Sequence, residues 1–91
     1  MSALRDHLHR YWFEFSGPRE ALPPGGWIGC GVTAVDRADA EQLLVAGPFR
    51  GTALPPLERV VEDVDVRDLD AGHVLANMGD VTRRGVWFPR H

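Results

Sequence analysis

Residues 27–48, WIGCGVTAVDRADAEQLLVAGP, decide the fold class. Their first part alternates with the period of a strand. Ile28, Cys30, Val32 and Ala34 face one way; Trp27, Gly29, Gly31, Thr33 and Val35 face the other. Glycine inside a strand leaves room for a bulky neighbour, so large side chains from an adjacent strand are expected over Gly29 and Gly31. The pattern then changes period. Asp36 reads as a helix N-cap, with Asp39 and Glu41 near the positive end of the helix dipole. A helix is predicted over RADAEQLLVA, with Ala40, Leu43, Leu44 and Ala38 as a narrow apolar stripe. Gly47–Pro48 stops it.

Upstream, residues 8–15, LHRYWFEF, alternate in the same way. Tyr11, Phe13 and Phe15 share one face, and Trp12 and Glu14 share the other. Gly17–Pro18 ends this strand, and Pro23-Pro24-Gly25-Gly26 ends the connection to residue 27. The two strands are expected to pair antiparallel, the aromatics of the first filling the space above the glycines of the second. Downstream, PFRGTALPPL (48–57) is a loop, and RVVEDVDV (59–66) is a third strand with one apolar and one acidic side. Such a strand suits a sheet edge, where charge discourages aggregation. Residues 68–79 read as a loop or one short helical turn, and RGVWF (84–88) as a last strand. The expectation is a small single α+β domain. Its order is strand–strand–helix–strand–strand, with a mainly antiparallel sheet and one helix packed on one face. The other face would stay open for a ligand, a partner or a second subunit.

Composition narrows the function. Ninety-one residues make one domain with a modest core, and a homodimer is a natural way to add burial. No apolar run approaches the ~20 residues of a membrane span, and MSALRDHLHR lacks the apolar stretch of a signal peptide. One cysteine, Cys30, allows neither an internal disulfide nor a multi-cysteine zinc site, so a cytoplasmic location is expected. All ten basic residues are arginine, which leaves no lysine for a Schiff base or a P-loop. The only serines are Ser2 and Ser16, and Ser16 lies in the turn-like FSGP rather than a nucleophile elbow. The net charge of −3 argues against a dedicated duplex-DNA binder. The acids concentrate in residues 58–70, whereas residues 81–91 carry Arg83, Arg84 and Arg90 and no acid.

Each candidate site has a structural reading beside it. His73, following Asp68 and Asp70 and preceding Asn77, has the surroundings of a general base oriented by a carboxylate. A histidine tying the loop to its own backbone is the commoner use of such a residue. Asp63, Asp65, Asp68 and Asp70 do not make a calcium loop. Counted from Asp63, position six is Asp68 rather than glycine and position twelve is Val74 rather than glutamate. They read instead as a solvated strand face followed by turn aspartates. His7, His9 and His91 are too near the termini to argue for a metal, and no cofactor is expected. Cys30, flanked by glycines, reads as a buried strand cysteine rather than a nucleophile. Arg83, Arg84, Trp87 and Phe88 with Tyr11 and Trp12 have the make-up of a stacking platform for single-stranded nucleic acid. The other reading, preferred here, is an aromatic core with both arginines paired to the acidic strand, within the domain or across a dimer. Trp27–Gly31 carries glycines in a nucleotide-like spacing, but inside a strand, where no dinucleotide fingerprint lies.

Taken together, YWFEF, GCGVTAVDRADAEQLL and VEDVDVRDLDAGHVLANMG followed by RRGVWFP resemble a group of uncharacterised small bacterial proteins of about this length. The resemblance implies a complete small protein and carries no activity with it. The expectation is a non-enzymatic interaction module, accessory, antitoxin- or immunity-like. It would bind another protein or itself through Asp63, Asp65, His73, Asn77, Arg83, Arg84 and Trp87, with no membrane role and no expected nucleic acid. The alternative is a small enzyme or ligand-binding protein, with His73 as base, Asp70 or Asp68 orienting it and Arg83 or Arg84 holding an anion.

Overall fold

Four strands and one helix account for the regular structure: β1 (His9–Phe15), β2 (Cys30–Ala34), α1 (Arg37–Ala46), β3 (Leu57–Glu62) and β4 (Gly85–Phe88). The computed structural model describes residues 8–18, 20, 22, 28–69, 72 and 74–89. The strands form one antiparallel sheet in the order β3-β1-β2-β4, so the α+β architecture is as expected. Adjacent β1 and β2 pair with Trp12 opposite Gly31 and Phe13 opposite Cys30.

The helix starts where the sequence says it should. The Asp36 carboxylate accepts from the Asp39 N–H at 2.8 Å, satisfying one of the orphan donors of the first turn. At the other end, the Gly47 N–H donates to the Leu43 carbonyl. Ala40 and Leu44 are fully buried against the sheet, with Leu43 beside them. They meet Tyr11, Phe13, Cys30 and Val32, the core face predicted from the alternation of the first two strands, and Phe49, which the loop after the helix adds. Fully burying a side chain such as Phe13 or Leu44 contributes about 1.5–3 kcal/mol.

The second face of the sheet is not open. Trp12, Trp87 and Phe88 project from it and pack under Val64 and Val74, with Met78 and Val81 alongside. The chain between β3 and β4 therefore folds back as a lid, and the protein has an apolar layer on each side of the sheet. The glycines make this possible. A Cβ on Gly31 would stand 2.2 Å from the Trp87 ring, and one on Gly29 2.3 Å from the Trp12 ring. The room expected over β2 is thus filled by one aromatic of β1 and one of β4, and the two indoles stack at 6.1 Å.

The third strand is displaced from its expected span of 59–66. It begins at Leu57 and stops at Glu62, because Asp63 takes a left-handed backbone (φ 55°) that turns the chain out of the sheet. Val64 then packs over Trp12 as part of the lid, its N–H donating to the Arg10 carbonyl at 3.1 Å. Asp65 and Val66, expected on the strand, instead begin a 3-10 turn at Val66–Asp68. A second such turn covers Leu75–Asn77, where one helical turn was allowed for. The second strand starts at Cys30; Trp27 and the Pro23–Gly26 turn lie outside the described residues.

Candidate functional site

A cleft of about 460 Å³ opens where β1 and β3 meet the 63–74 segment. Trp12, Ile28, Val61, Val64, Leu69 and Val74 give it apolar walls, and Glu14, Asp63, Asp65, Asp68 and Arg59 give it a charged rim. Four carboxylates against one guanidinium make that rim acidic. The strand period explains the placement. Trp12 and Glu14 share a face of β1, and Arg59 and Val61 share the matching face of β3.

Each rim carboxylate has a distinct setting. Glu14 accepts from the Trp12 indole N–H at 2.9 Å and sits 3.7 Å from the Arg59 guanidinium. The His9 Nδ1–H donates to Asp63 at 2.8 Å. Asp65 caps the 3-10 turn, accepting the Arg67 N–H at 3.0 Å and the Arg67 guanidinium at 2.8 Å. Those bonds from Arg67 hold the Asp65 carboxyl down at about 2, so it stays ionised in any ordinary buffer. Asp68 is exposed and forms no ion pair among the described residues. The apolar walls and acidic rim suit a ligand with an apolar body and a cationic end, such as an arginine-bearing strand.

The arginine pair does not answer this acidic segment. β3 and β4 lie at opposite edges of the sheet, with β1 and β2 between them. Arg84 instead grips Asp39 at the start of α1 with a two-pronged contact, its Nε donating at 2.8 Å. The Arg84 guanidinium beside Asp39 pulls that carboxyl below its usual range, assisted by the Val35 N–H at 3.1 Å. Asp39 therefore fastens β4 to the helix as well as sitting in the first turn. That pairing had no local signal, since 45 residues separate the partners. Arg83 is exposed and forms no ion pair among the described residues.

Trp87 is corrected as a binding residue. It is 2% exposed, stacked on Trp12, and donates its indole N–H to the Thr33 hydroxyl at 3.1 Å. Tyr11, Trp12 and Phe88 are also buried, so the aromatic set is core and presents no platform to a nucleic-acid base. Thr33 passes the bond on, donating to the Val81 carbonyl at 2.6 Å. This relay ties the lid to the middle of the sheet, and nothing in the strand pattern around Thr33 signals it. Cys30 is fully buried, and burial pushes its thiol up to about 12, which leaves it protonated and inert.

His73 and Asp70 lie outside the described residues, as do His7 and His91. Asn77 closes the second 3-10 turn and is exposed; it does not line the cleft. The structure thus brings Asp63 and Asp65 together at one cleft and sends Arg84 and Trp87 elsewhere. Among the described residues no three histidines, cysteines or acids gather to hold a metal. No buried side-chain nitrogen or oxygen among them lacks a partner, and none of their helices is long and apolar enough to cross a membrane. Comparison with protein-family models, curated proteins and solved structures found no match.

Proposed function

We propose that this chain is a non-enzymatic interaction module that captures an extended, arginine- or lysine-bearing segment at the acidic cleft beside β3. The observation that carries the reading is the composition of that cleft: an apolar wall of Trp12, Val61, Val64 and Val74 under the carboxylates of Glu14, Asp63, Asp65 and Asp68. Fixed carboxylates attract a basic segment over long range and speed its docking, while the apolar wall supplies burial once it arrives. The partner is another protein or a second copy of this one. An accessory, antitoxin- or immunity-like role in the cytoplasm fits such a module, and a lone buried Cys30 suits a reducing compartment.

The test uses two fluorescent peptides that alternate valine with arginine or valine with glutamate, titrated into the full chain. The basic peptide is expected to bind, and binding should weaken several-fold when salt rises from about 50 mM to 500 mM. An Asp63→Asn, Asp65→Asn double substitution should weaken it by a similar factor, while asparagine at residue 65 preserves the turn cap. Equal binding of both peptides, or a basic peptide indifferent to the double substitution, would reject the cleft as the binding surface.

A further inference from the structure

The charged groups on the cleft rim are not equally engaged. Arg67 gives Asp65 a two-pronged side-chain contact and a backbone N–H, and His9 bonds Asp63. Glu14 is different, because both of its contacts fall on one oxygen. Oε2 accepts from the Trp12 indole at 2.9 Å and lies 3.7 Å from Nη1 of Arg59. Oε1 has no partner among the described residues.

The indole sets the orientation of this carboxylate. Trp12 is buried and stacked on Trp87, so its N–H is a fixed donor. A carboxylate held in place beforehand loses little freedom when a cation arrives. The Glu14 side chain is also less exposed than those of Asp63 and Asp65, and Asp68 is exposed. Of the rim acids it is the one that water screens least.

Arg59 stands before Glu14 without gripping it. The two are direct partners across the β1–β3 ladder, yet 3.7 Å is too long for a hydrogen bond. The register slips between Glu14 and Phe15, which leaves Glu58 without a partner on β1. Such irregularities re-aim the side chains beside them. The Arg59 side chain is 63% exposed, so it can turn into water at little cost.

We infer that Glu14 is the anchor of the cleft, taking the guanidinium of an incoming arginine, and that Arg59 is a built-in occupant which this arginine displaces. The inference rests on the reading that the cleft takes a basic segment, and it names the residue that receives the charge. An arginine entering along the cleft can bring its fork of N–H groups to Oε1 and to the remaining lone pair of Oε2. The apolar neighbours of that arginine then meet Val61, Val64 and Val74. Arg59 is tethered to β3 and makes neither gain. The compact ammonium of lysine has no fork to offer, so arginine is the residue selected.

The test titrates fluorescent peptides alternating valine with arginine, or valine with lysine, into the full chain and its variants. The arginine peptide is expected to bind several-fold more tightly than the lysine peptide. Glu14→Gln should weaken the arginine peptide roughly tenfold, while its amide oxygen still accepts from Trp12. Arg59→Gln should tighten it several-fold, and Arg59→Lys should fall between that variant and the wild type. Removing a cation from an acidic rim draws in a basic peptide wherever it sits, so the double variant separates the causes. With Glu14→Gln in place, Arg59→Gln should change affinity less than twofold, because the seat that Arg59 guards is gone.

An arginine peptide indifferent to Glu14→Gln, an Arg59→Gln protein that binds no better than wild type, a tightening that persists undiminished in the double variant, or equal affinity for the lysine peptide would overturn the inference. Binding that depends on Asp63 and Asp65 but ignores Glu14 and Arg59 would overturn it and leave the cleft as the basic-segment surface. Binding that emerges only in Arg59→Gln would support it. Failure of both the wild type and Arg59→Gln to bind would remove this inference and the broader reading together.

Discussion

Replacing Thr33 with valine tests the contact that closes the lid over the sheet. The substitution keeps the shape of the side chain and removes one oxygen. That oxygen accepts from the Trp87 indole at 3.1 Å and donates to the Val81 carbonyl at 2.6 Å. Trp87 is 2% exposed, so its N–H has no access to water once the hydroxyl is gone. A buried donor left unpaired costs about 1–3 kcal/mol, and the lost bond to Val81, which is only partly buried and can be rehydrated, costs about 1 kcal/mol. The expected loss is about 2–4 kcal/mol, which lowers the Tm of a chain this size by roughly 10–25 °C. Urea unfolding followed by tryptophan fluorescence measures it directly. Trp87→Phe supplies the control, because it deletes the donor that Thr33→Val strands. The double variant should therefore lose about 1–2 kcal/mol less than the sum of the singles. A Thr33→Val protein within about 0.5 kcal/mol of the wild type would refute the relay as a fastening, as would strict additivity with Trp87→Phe.

Three further outcomes are expected. Gly31→Ala places a methyl 2.2 Å from a Trp87 ring that is held on both sides; it should destabilise by about 3 kcal/mol in denaturant unfolding and loosen the near-ultraviolet signature of the stacked indoles. Asp39 has a folded pKa below its ordinary value of 3.8, chiefly through Arg84, so the carboxylate stabilises the fold above that value and the contribution is lost as pH falls through the folded pKa. Asp39→Asn should flatten this acid limb in thermal melts between about pH 5 and 2, and an unchanged limb would detach Asp39 from acid stability. Cys30, buried with its thiol at about 12, should resist a thiol-reactive dye at pH 8 and label only as the protein unfolds; rapid labelling of the native chain would contradict its burial.

The local elements were legible because each has a short-range cause. Asp36 caps, Gly47 stops, and the alternation over residues 9–15 and 30–34 sets two strands with a common core face. The glycines of the second strand announced close aromatic neighbours, and Trp12 and Trp87 fill those spaces. The third strand was placed too far along because Val64 and Val66 continue its apolar alternation. A single left-handed residue, Asp63, breaks the strand before them, and aspartate tolerates that conformation without advertising it.

The candidate site was legible only in part. Asp63 and Asp65 were singled out and lie on the cleft; Glu14 and Arg59, which complete its charged rim, were not. Arg84 and Trp87 were singled out and serve the interior and the helix start instead. Strand order explains these differences. The consecutive strands β3 and β4 fall at opposite edges of the sheet, whereas Asp39 and Arg84, 45 residues apart, are brought together.

The sequence by itself determined the fold class, the helix with its cap and stop, the antiparallel first pair and the inertness of Cys30, because periodicity, capping and burial act over a few residues. Only the tertiary structure decided that both faces of the sheet are covered, that the aromatics of β1 and β4 meet through the gaps at Gly29 and Gly31, and that β3 and β4 form the two edges. Those outcomes depend on which strands become neighbours. Strand order is set by the packing of the whole chain, and no local pattern encodes it.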